Sequence, residues 1–368
     1  MIGLGRARRL FASGMRFLGI RRTRKAPVPV EGLPEGIAFE TLNELCLQRF
    51  GKPLAHVSYV HISGWKAAGS YRLFLQTRGG RSWNLIYKNA IYTMDHIPAL
   101  AGLPIAPGPP EYLVYSNARG TLARYLPAVH LCSEVVPGEH YQYVLEDVGQ
   151  EYRRLSQPEA FLDVATELPA IHRALSEWSL TVDQDRLLRY GRDFSVALQE
   201  HAGKVLERYA QRMANPAFSE IGELWPQISE VYQRPEFHKS EVRPIHGDFN
   251  CANILIHERC PDRIKLVDWE WSGLGMAHAD LASLLKGSLC ESEIAQRALL
   301  VFSEQDRQLS LDEHRRLYQW CLLERALLDA TFCAAQVMAF PNLTTQFNLS
   351  EFVEYSMQQV FRLYQELT

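Results

Sequence analysis

Two short apolar runs late in the chain, with polar residues at their ends, constrain the fold most strongly. Residues 254–256 and 264–267 are rich in β-branched side chains, and the polar stretch between them contains a Pro-Asp turn signal. The pattern predicts a β-hairpin. Asn253 enters the first strand and Asp268 leaves the second, so the hairpin would place these two side chains next to each other, with Asp248 on the preceding loop.

The same polar residues offer oxygen atoms in a fixed order. Asn253 follows Asp248 by five positions, and Asp268 follows it by twenty. Transfer of a phosphoryl group from a nucleotide needs one carboxylate that orients the attacking hydroxyl and takes its proton, and further oxygens that hold Mg²⁺ between the phosphates. Each of these residues alone is more often a turn-capping Asp or Asn. Together they can supply all three groups.

The motifs around these residues resemble those of one family. The segments HGDFNCANILI and KLVDWEW, followed by Gly275 and Asp280, match the H-G-D-x-x-x-x-N loop and the I/V-D-[FW]-E strand end of the aminoglycoside phosphotransferases and choline kinases. The resemblance implies an α+β, protein-kinase-like bilobal fold with a small antiparallel β-sheet N-lobe and a mainly helical C-lobe. Protein kinases carry H-R-D, D-F-G and A-P-E instead. Gly247, Trp269 and the lack of A-P-E therefore argue against protein kinase activity.

The resemblance also implies a role for each motif residue. Asp248 is the expected catalytic base, and Asn253 and Asp268 are the expected Mg²⁺ ligands. Asp280 is expected to bond back to the catalytic loop, and His246 to brace that loop without transferring a proton. The implied cofactors are ATP, with GTP as the alternative, and Mg²⁺.

The N-terminal half favours one helix followed by strands. Residues 39–50 predict a helix that ends at Gly51. Three strands are predicted at 56–62, 71–77 and 83–88. Gly64 and Gly69 lie between the first two strands, where two glycines usually mark only a turn. In a kinase-like N-lobe, such a hairpin covers the nucleotide phosphates.

A lysine on the third predicted strand is placed to contact phosphate. Lys88 has the strand context that the resemblance implies, whereas its competitor Lys66 lies in the glycine-containing loop. Such a lysine needs a glutamate on the following helix. Glu111 follows two prolines at a predicted helix start, so we expect it to pair with Lys88; the alternative is simple stabilisation of the helix dipole.

Strands are also predicted at 126–132 and 141–147, and the second ends in a segment that resembles the family's hinge. The residues expected to line the nucleotide base there, mostly through backbone and apolar contacts, are Val144, Leu145, Glu146 and Asp147. Recognition of the base by the side chain of Glu146 is disfavoured.

The C-terminal half predicts helices, at 159–178, 280–286, 311–338 and 350–366. Pro169 should kink or split the first of these, and His172 on its apolar face is expected to be a packed core residue. Glu270 and Trp271 follow the metal aspartate and are the expected acceptor-binding pair, with Trp271 able to stack on a sugar or an amine. Arg325 and Asp329 favour a surface ion pair.

Composition is that of a globular protein with an unusual basic head. The 368 residues are 47% hydrophobic, and the seven cysteines form no C-x-x-C pair, which favours a reducing cytoplasm. Residues 1–25 hold eight Arg or Lys and no acid, which leaves 31 basic against 42 acidic residues in the rest of the chain. An acidic body does not suggest nucleic-acid binding. The head fits a disordered tail, a helix on an anionic membrane or a transit peptide.

The sequence thus predicts three parts: a basic head and proline-containing linker at 1–34, an N-lobe at 35–147 and a C-lobe at 148–368. The expected function is Mg²⁺-dependent transfer of the γ-phosphate to a hydroxyl of a small molecule, such as an amino sugar, an amino alcohol, a sugar or an antibiotic. The alternative is a non-catalytic kinase-fold protein that binds nucleotide or acts as a membrane-associated scaffold. The residues leave the acceptor open.

Overall fold

A computed structural model of the chain describes residues 28–62, 69–91, 110–149, 152–155, 158–213, 221–232, 234, 242–257, 263–286, 292–305, 309–339 and 349–368. Gly64, Lys66 and the basic head at 1–25 lie outside the described residues.

The N-terminal region is built on a six-stranded antiparallel sheet with the order β1-β2-β3-β4-β6-β5. Its strands are β1 Val30–Glu31, β2 Leu54–Ile62, β3 Ser70–Thr77, β4 Ser82–Ile91, β5 Val129–Val136 and β6 His140–Glu146. Residues 126–128 are not in a strand, because a 3₁₀ turn at Leu122–Tyr125 precedes β5 and shortens it at its start. β1 falls inside the predicted linker, where it pairs with β2.

Two helices accompany this sheet. Helix α1, Phe39–Phe50, ends before Gly51 as predicted. Its Leu42 and Cys46 are buried in a small cluster with apolar side chains of β2, β3 and β4. Helix α2, Pro110–Asn117, begins at the predicted proline and buries Glu111 in its first turn.

The C-terminal region is mainly helical. Its helices are α3 Pro158–Ser179, α4 Arg192–Met213, α5 Ile221–Tyr232, α6 Ala277–Lys286, α7 Ser292–Gln305, α8 Leu311–Ala339 and α9 Leu349–Leu367. Pro169 does not split α3, which runs as one helix on both sides of it. Within the described residues, no helix combines the length and the apolar character that a bilayer crossing needs.

Two small sheets lie among these helices and position the polar motif. The first contains β11 Ile264–Leu266, β10 Ile254–Ile256 and β7 Arg153–Arg154, in that order. Ile254 pairs with Leu266 across an antiparallel hairpin, so the predicted hairpin is confirmed. The second sheet contains β8 Leu188–Arg189, β12 Gly273–Gly275 and β9 Arg243–Ile245, in that order.

One large apolar core holds the C-terminal helices and the motif together. Phe249, next to Asp248, and Trp269, next to Asp268, are both fully buried in it. Burying a large aromatic side chain stabilises a fold by about 2–3 kcal/mol. The apolar residues within the motif therefore anchor it, so the polar residues between them have defined positions.

Candidate active site

The predicted catalytic loop, residues 246–253, is held by hydrogen bonds to its backbone. Asp280, in the first turn of α6, accepts hydrogen bonds from His246 N at 2.9 Å and from Gly247 N at 2.9 Å. The imidazole of His172 contacts the same carboxylate at 3.0 Å. His246 Nε2 contacts the carbonyl of Val267 at 3.2 Å, which joins the loop to the end of β11. Asp280, His172 and His246 thus connect this loop with α6, α3 and the end of β11.

Gly247 occupies a position that only glycine fits. Its φ of +78° lies in the left-handed region, and a Cβ there would come within 1.9 Å of the carbonyl oxygen of Trp271. Any other residue would have to move the loop or the turn that carries Trp271. The H-G-D sequence therefore reflects close contact between the catalytic loop and the segment after Asp268.

Lys88 lies between two carboxylates. Its Nζ contacts Oε1 and Oε2 of Glu111 at 2.7 Å each and Oδ1 of Asp268 at 2.9 Å. The side chains of Lys88 and Glu111 are 12% and 1% exposed. Burial alone would lower the pKa of Lys88, but the nearby charges of Asp268 and Glu111 outweigh it and raise that pKa. The ammonium is therefore charged, and it connects β4, α2 and Asp268.

Asp268 has an unusual backbone conformation. Among the described residues it is the one non-glycine residue with positive φ, at φ 67° and ψ 61°. Such left-handed residues are strained and are concentrated at functional sites. Its backbone also forms a hydrogen bond with the buried hydroxyl of Tyr115, on α2. The Asp268 carboxylate stays 37% exposed, and it contacts Lys88.

Asp248 and Asn253 are joined across the loop. The amide Nδ2 of Asn253 donates to the carbonyl oxygen of Asp248 at 3.0 Å and to its Oδ2 at 2.9 Å. The backbone carbonyl of Asn253 accepts from Val267 N at 3.0 Å, one residue before Asp268. The hairpin therefore brings Asp248, Asn253 and Asp268 into one region, as the sequence predicts.

The donor set fits a magnesium ion. Because Nδ2 of Asn253 is directed to Asp248, its amide oxygen is on the other branch of the side chain. Asp268 adds a carboxylate that is more exposed than Lys88 or Glu111. Mg²⁺ is commonly held by one or two such oxygens together with phosphate oxygens and water. Asn253 and Asp268 are thus suited to hold it.

The predicted ion pair between Arg325 and Asp329 is present, but its predicted location on the surface is wrong. Arg325 Nε does lie 3.4 Å from Asp329 Oδ1, but the two side chains are only 20% and 13% exposed. Packing of α8 against the catalytic loop turns Arg325 inward, where its Nη2 donates to Asp248 Oδ1 at 2.5 Å. The i, i+4 spacing in the sequence reveals the pair with Asp329 but contains no signal of this long-range contact.

The predicted hinge residues divide into two kinds. Val144 and Leu145 are buried. The carboxylate of Glu146 accepts from Ala128 N at 3.1 Å. That of Asp147 accepts from Arg72 Nη2 at 3.2 Å and from Gly149 N at 3.0 Å. Both carboxylates therefore have partners within the protein.

Three further predicted residues, Glu270, Trp271 and Gly69, have close neighbours in the structure. Glu270 and Trp271 belong to a 3₁₀ turn directly after Asp268, and Trp271 Nε1 donates to Glu270 Oε1 at 3.1 Å. Tyr190, which sequence reasoning missed, donates its hydroxyl to the Trp271 carbonyl at 2.6 Å. At Gly69, a Cβ would collide with the ring of Tyr71, so the end of the glycine-containing loop is tightly packed.

Comparison with solved structures shows the same fold. Choline kinase LicA from Streptococcus pneumoniae matches with a TM-score of 0.57 and 12% identity, over 89% of this chain and 98% of that chain. The GDP complex of wild-type aminoglycoside 2'-phosphotransferase-IIIa matches with a TM-score of 0.56 and 11% identity, over 90% and 99%. Plasmodium vivax ethanolamine kinase matches with a TM-score of 0.54 and 12% identity, over 85% and 83%. The predicted α+β, kinase-like fold is confirmed.

The comparison with curated proteins gives no match. The comparison with protein families, by contrast, agrees with the fold. The pattern that describes the phosphotransferase enzyme family matches residues 118–325, which is more than half of the chain and includes the catalytic loop, the metal strand and Asp280. The resemblance inferred from HGDFNCAN and VDWEW is therefore confirmed, and the chain belongs to the phosphotransferase enzyme family.

Proposed function

We propose that this protein transfers the γ-phosphate of ATP, or of GTP, to a hydroxyl group of a small molecule. The observation that carries the proposal is the meeting of Asp248, Asn253, Asp268 and Lys88 at one end of the hairpin. Phosphoryl transfer depends mainly on positioning and on charge, and these four residues can provide both.

Each residue would have one part in the reaction. Lys88 would hold the α- and β-phosphates, and Mg²⁺ bound by Asn253 and Asp268 would neutralise phosphate charge. Asp248 would orient the acceptor hydroxyl and accept its proton as the oxygen attacks the γ-phosphorus. The bond from that phosphorus to the bridging oxygen then breaks, and the nucleoside diphosphate leaves with both electrons of the bond.

The acceptor is best sought among alcohols and amino alcohols. The names of the structural neighbours are those of aminoglycoside, choline and ethanolamine phosphotransferases. Glu270 and Trp271 lie next to the loop, because the main chain of Trp271 contacts Gly247. We propose that they border the acceptor, with Trp271 offering an aromatic face to a sugar or an amine.

The test is a panel of acceptors, measured by nucleoside diphosphate release in the presence of MgATP or MgGTP. Aminoglycosides, choline, ethanolamine and simple sugars should be included, with water as the baseline. In Asp248→Asn, turnover of the best acceptor should fall by about 10²–10⁴-fold, because proton transfer by a positioned side chain contributes that much. Asp312→Asn, on the exposed start of α8, is the matched control and should keep the wild-type rate.

Two outcomes would contradict the proposal. Unchanged turnover in Asp248→Asn would show that this carboxylate is not the base. Binding of MgATP, seen as a rise in melting temperature, without turnover of any acceptor or of water would favour a non-catalytic nucleotide-binding protein.

A further inference from the structure

Arg325, on α8, contacts the catalytic loop at two points. Its Nη2 donates to Asp248 Oδ1 at 2.5 Å, and its Nη1 donates to the carbonyl oxygen of Gly247 at 3.2 Å. We propose that Arg325 is a positioning residue for phosphoryl transfer, one that fixes the orientation of the Asp248 carboxylate. This inference rests on the proposed function, because Arg325 acts through Asp248.

The carboxylate of Asp248 is held at both of its oxygens. Arg325 binds Oδ1, and Asn253 Nδ2 binds Oδ2 at 2.9 Å. A carboxylate with one fixed oxygen can still rotate about its side-chain bonds, whereas one fixed at both oxygens keeps a single plane. Each oxygen has a second lone pair, so the carboxylate can still accept from a substrate hydroxyl. Arg325 would thus present one carboxylate geometry to the acceptor, which favours in-line attack.

Arg325 is itself held in place. Its Nε lies 3.4 Å from Asp329 Oδ1, one turn further along α8, and Asp329 also forms an ion pair with Lys286, at the end of α6. Helix α6 is therefore connected to the catalytic loop in two ways. Asp280, in its first turn, binds the loop backbone directly. Lys286, at its end, contacts Asp329, which contacts Arg325, and Arg325 binds the side chain of Asp248. An arginine that only covered the surface would not need these partners.

The positive charge beside Asp248 comes from an element outside the loop. The loop sequence HGDFNCAN contains no lysine or arginine. Asp248 is only 18% exposed and Arg325 only 20%. A mostly buried carboxylate needs a partner charge and hydrogen bonds, and the planar fork of a guanidinium can bind a carboxylate and a carbonyl together, which an ammonium cannot do with the same geometry. Helix α8 supplies what the loop lacks.

The experiment compares Arg325→Met and Arg325→Lys with the wild type. Turnover is measured as ADP release from MgATP with the best acceptor of the panel, or with water if no acceptor reacts. We expect kcat to fall by about 10- to 100-fold in Arg325→Met, and Arg325→Lys to recover part of the loss. The dissociation constant of MgATP should stay within about threefold, since the contacts of Lys88 with Glu111 and Asp268 remain in both variants. Arg315→Met, which breaks an exposed ion pair with Asp312 on the same helix, is the control and should change nothing.

A second measurement does not depend on turnover. Crystal structures of the wild type and of Arg325→Lys should show one orientation of the Asp248 carboxylate, and that of Arg325→Met more than one. The proposal is overturned if Arg325→Met keeps the single orientation or keeps wild-type kcat while Asp248→Asn is inactive. It is also overturned if Arg325→Met and Arg325→Lys lose MgATP binding and melting temperature equally, because that result would mark a purely structural residue. Full turnover in Asp248→Asn would instead contradict the proposed function.

Discussion

Two networks of acidic and basic side chains flank the catalytic loop, and they differ in their composition. On the proposed nucleotide side, one ammonium, Lys88, lies between two carboxylates, Glu111 and Asp268. On the other side, two carboxylates, Asp248 and Asp329, alternate with two basic side chains, Arg325 and Lys286, and burial lowers the pKa of Lys286 well below its ordinary value. The first network has one carboxylate more than it has basic groups, and the second is balanced, with equal numbers of each. An excess of carboxylate suits a site that binds a divalent cation. A balanced set suits groups that only need a fixed geometry.

Substitution of Lys88 should have the largest effect and tests the nucleotide-side network. Lys88→Met leaves Glu111, which is 1% exposed, as a buried carboxylate without its cation. Breaking a buried pair in this way costs about 3–5 kcal/mol. We expect a loss of that size in the free energy of unfolding, measured with denaturant, together with a loss of MgATP affinity measured by calorimetry.

A double-mutant cycle separates these two effects. Lys88→Met combined with Glu111→Gln removes both charges, so the double variant should be more stable than Lys88→Met alone, yet it should still bind MgATP weakly. Lys265→Met, at a lysine whose Nζ donates to a backbone carbonyl on the surface, is the control and should change neither quantity. If Lys88→Met were as stable as the wild type, the buried pair would not contribute as described.

Gly247 links the two networks, and its substitution should have an intermediate effect. Its N is bound by Asp280, its O is bound by Arg325, and a Cβ would collide with the Trp271 carbonyl. Gly247→Ala should lower the free energy of unfolding by about 1–3 kcal/mol and also reduce kcat, because the loop must move. Gly80→Ala is the control for strain alone, since Gly80 also has positive φ, at +75°, but nothing lies within 4 Å of its Cβ position. Equal losses in both variants would show that contact with Trp271 is unimportant.

The two networks also differ in how far the sequence predicts their contacts. Lys88, Glu111, Asp248 and Asp268 belong to motifs with a fixed order along the chain, and local strand and helix patterns place them. Arg325 lies 77 residues after Asp248, and its contact depends on how α8 packs against the loop. Helical periodicity gives the neighbours of a residue on its own helix but not its partner on another element. The fold and the motif were therefore predictable, whereas the second network was not.

The start of one strand and the continuity of one helix also differ from the prediction. The prediction of a strand at 126–132 was wrong at its start, because a 3₁₀ turn at Leu122–Tyr125 precedes β5. Pro169 does not split α3, where its neighbours Leu168 and Ile171 are both fully buried, and a kink at Pro169 stays a prediction. Local sequence patterns predict that a strand or helix exists, and its exact bounds depend on contacts with the rest of the fold.

A smaller effect should appear at Glu324, which borders the balanced network. Burial raises the pKa of Glu324 to about 7, although the Ser195 hydroxyl, which donates to its carboxylate, opposes the shift. Glu324 lies near the network, because its charge and that of Arg325 both influence the pKa of the buried Tyr190 hydroxyl. Below about pH 7 Glu324 is mostly neutral, and above that pH it adds one negative charge beside the network.

The sign of the resulting pH dependence follows from the raised pKa. Between the ordinary glutamate pKa of 4.5 and about 7, the folded protein holds a proton that the unfolded chain has lost, so stability due to this group falls as pH rises through that window. Glu324→Gln removes the group, and its advantage over the wild type in the free energy of unfolding should grow by about 1–3 kcal/mol from about pH 4.5 to about pH 8. Glu313→Gln, on the same helix, is the control: hydrogen bonds from Ser310 lower the pKa of Glu313, so its contribution to stability is lost only as pH falls below about 4.5 and should change little across this range. A constant difference between Glu324→Gln and the wild type across this range would show that burial does not raise the pKa of Glu324 in the folded protein.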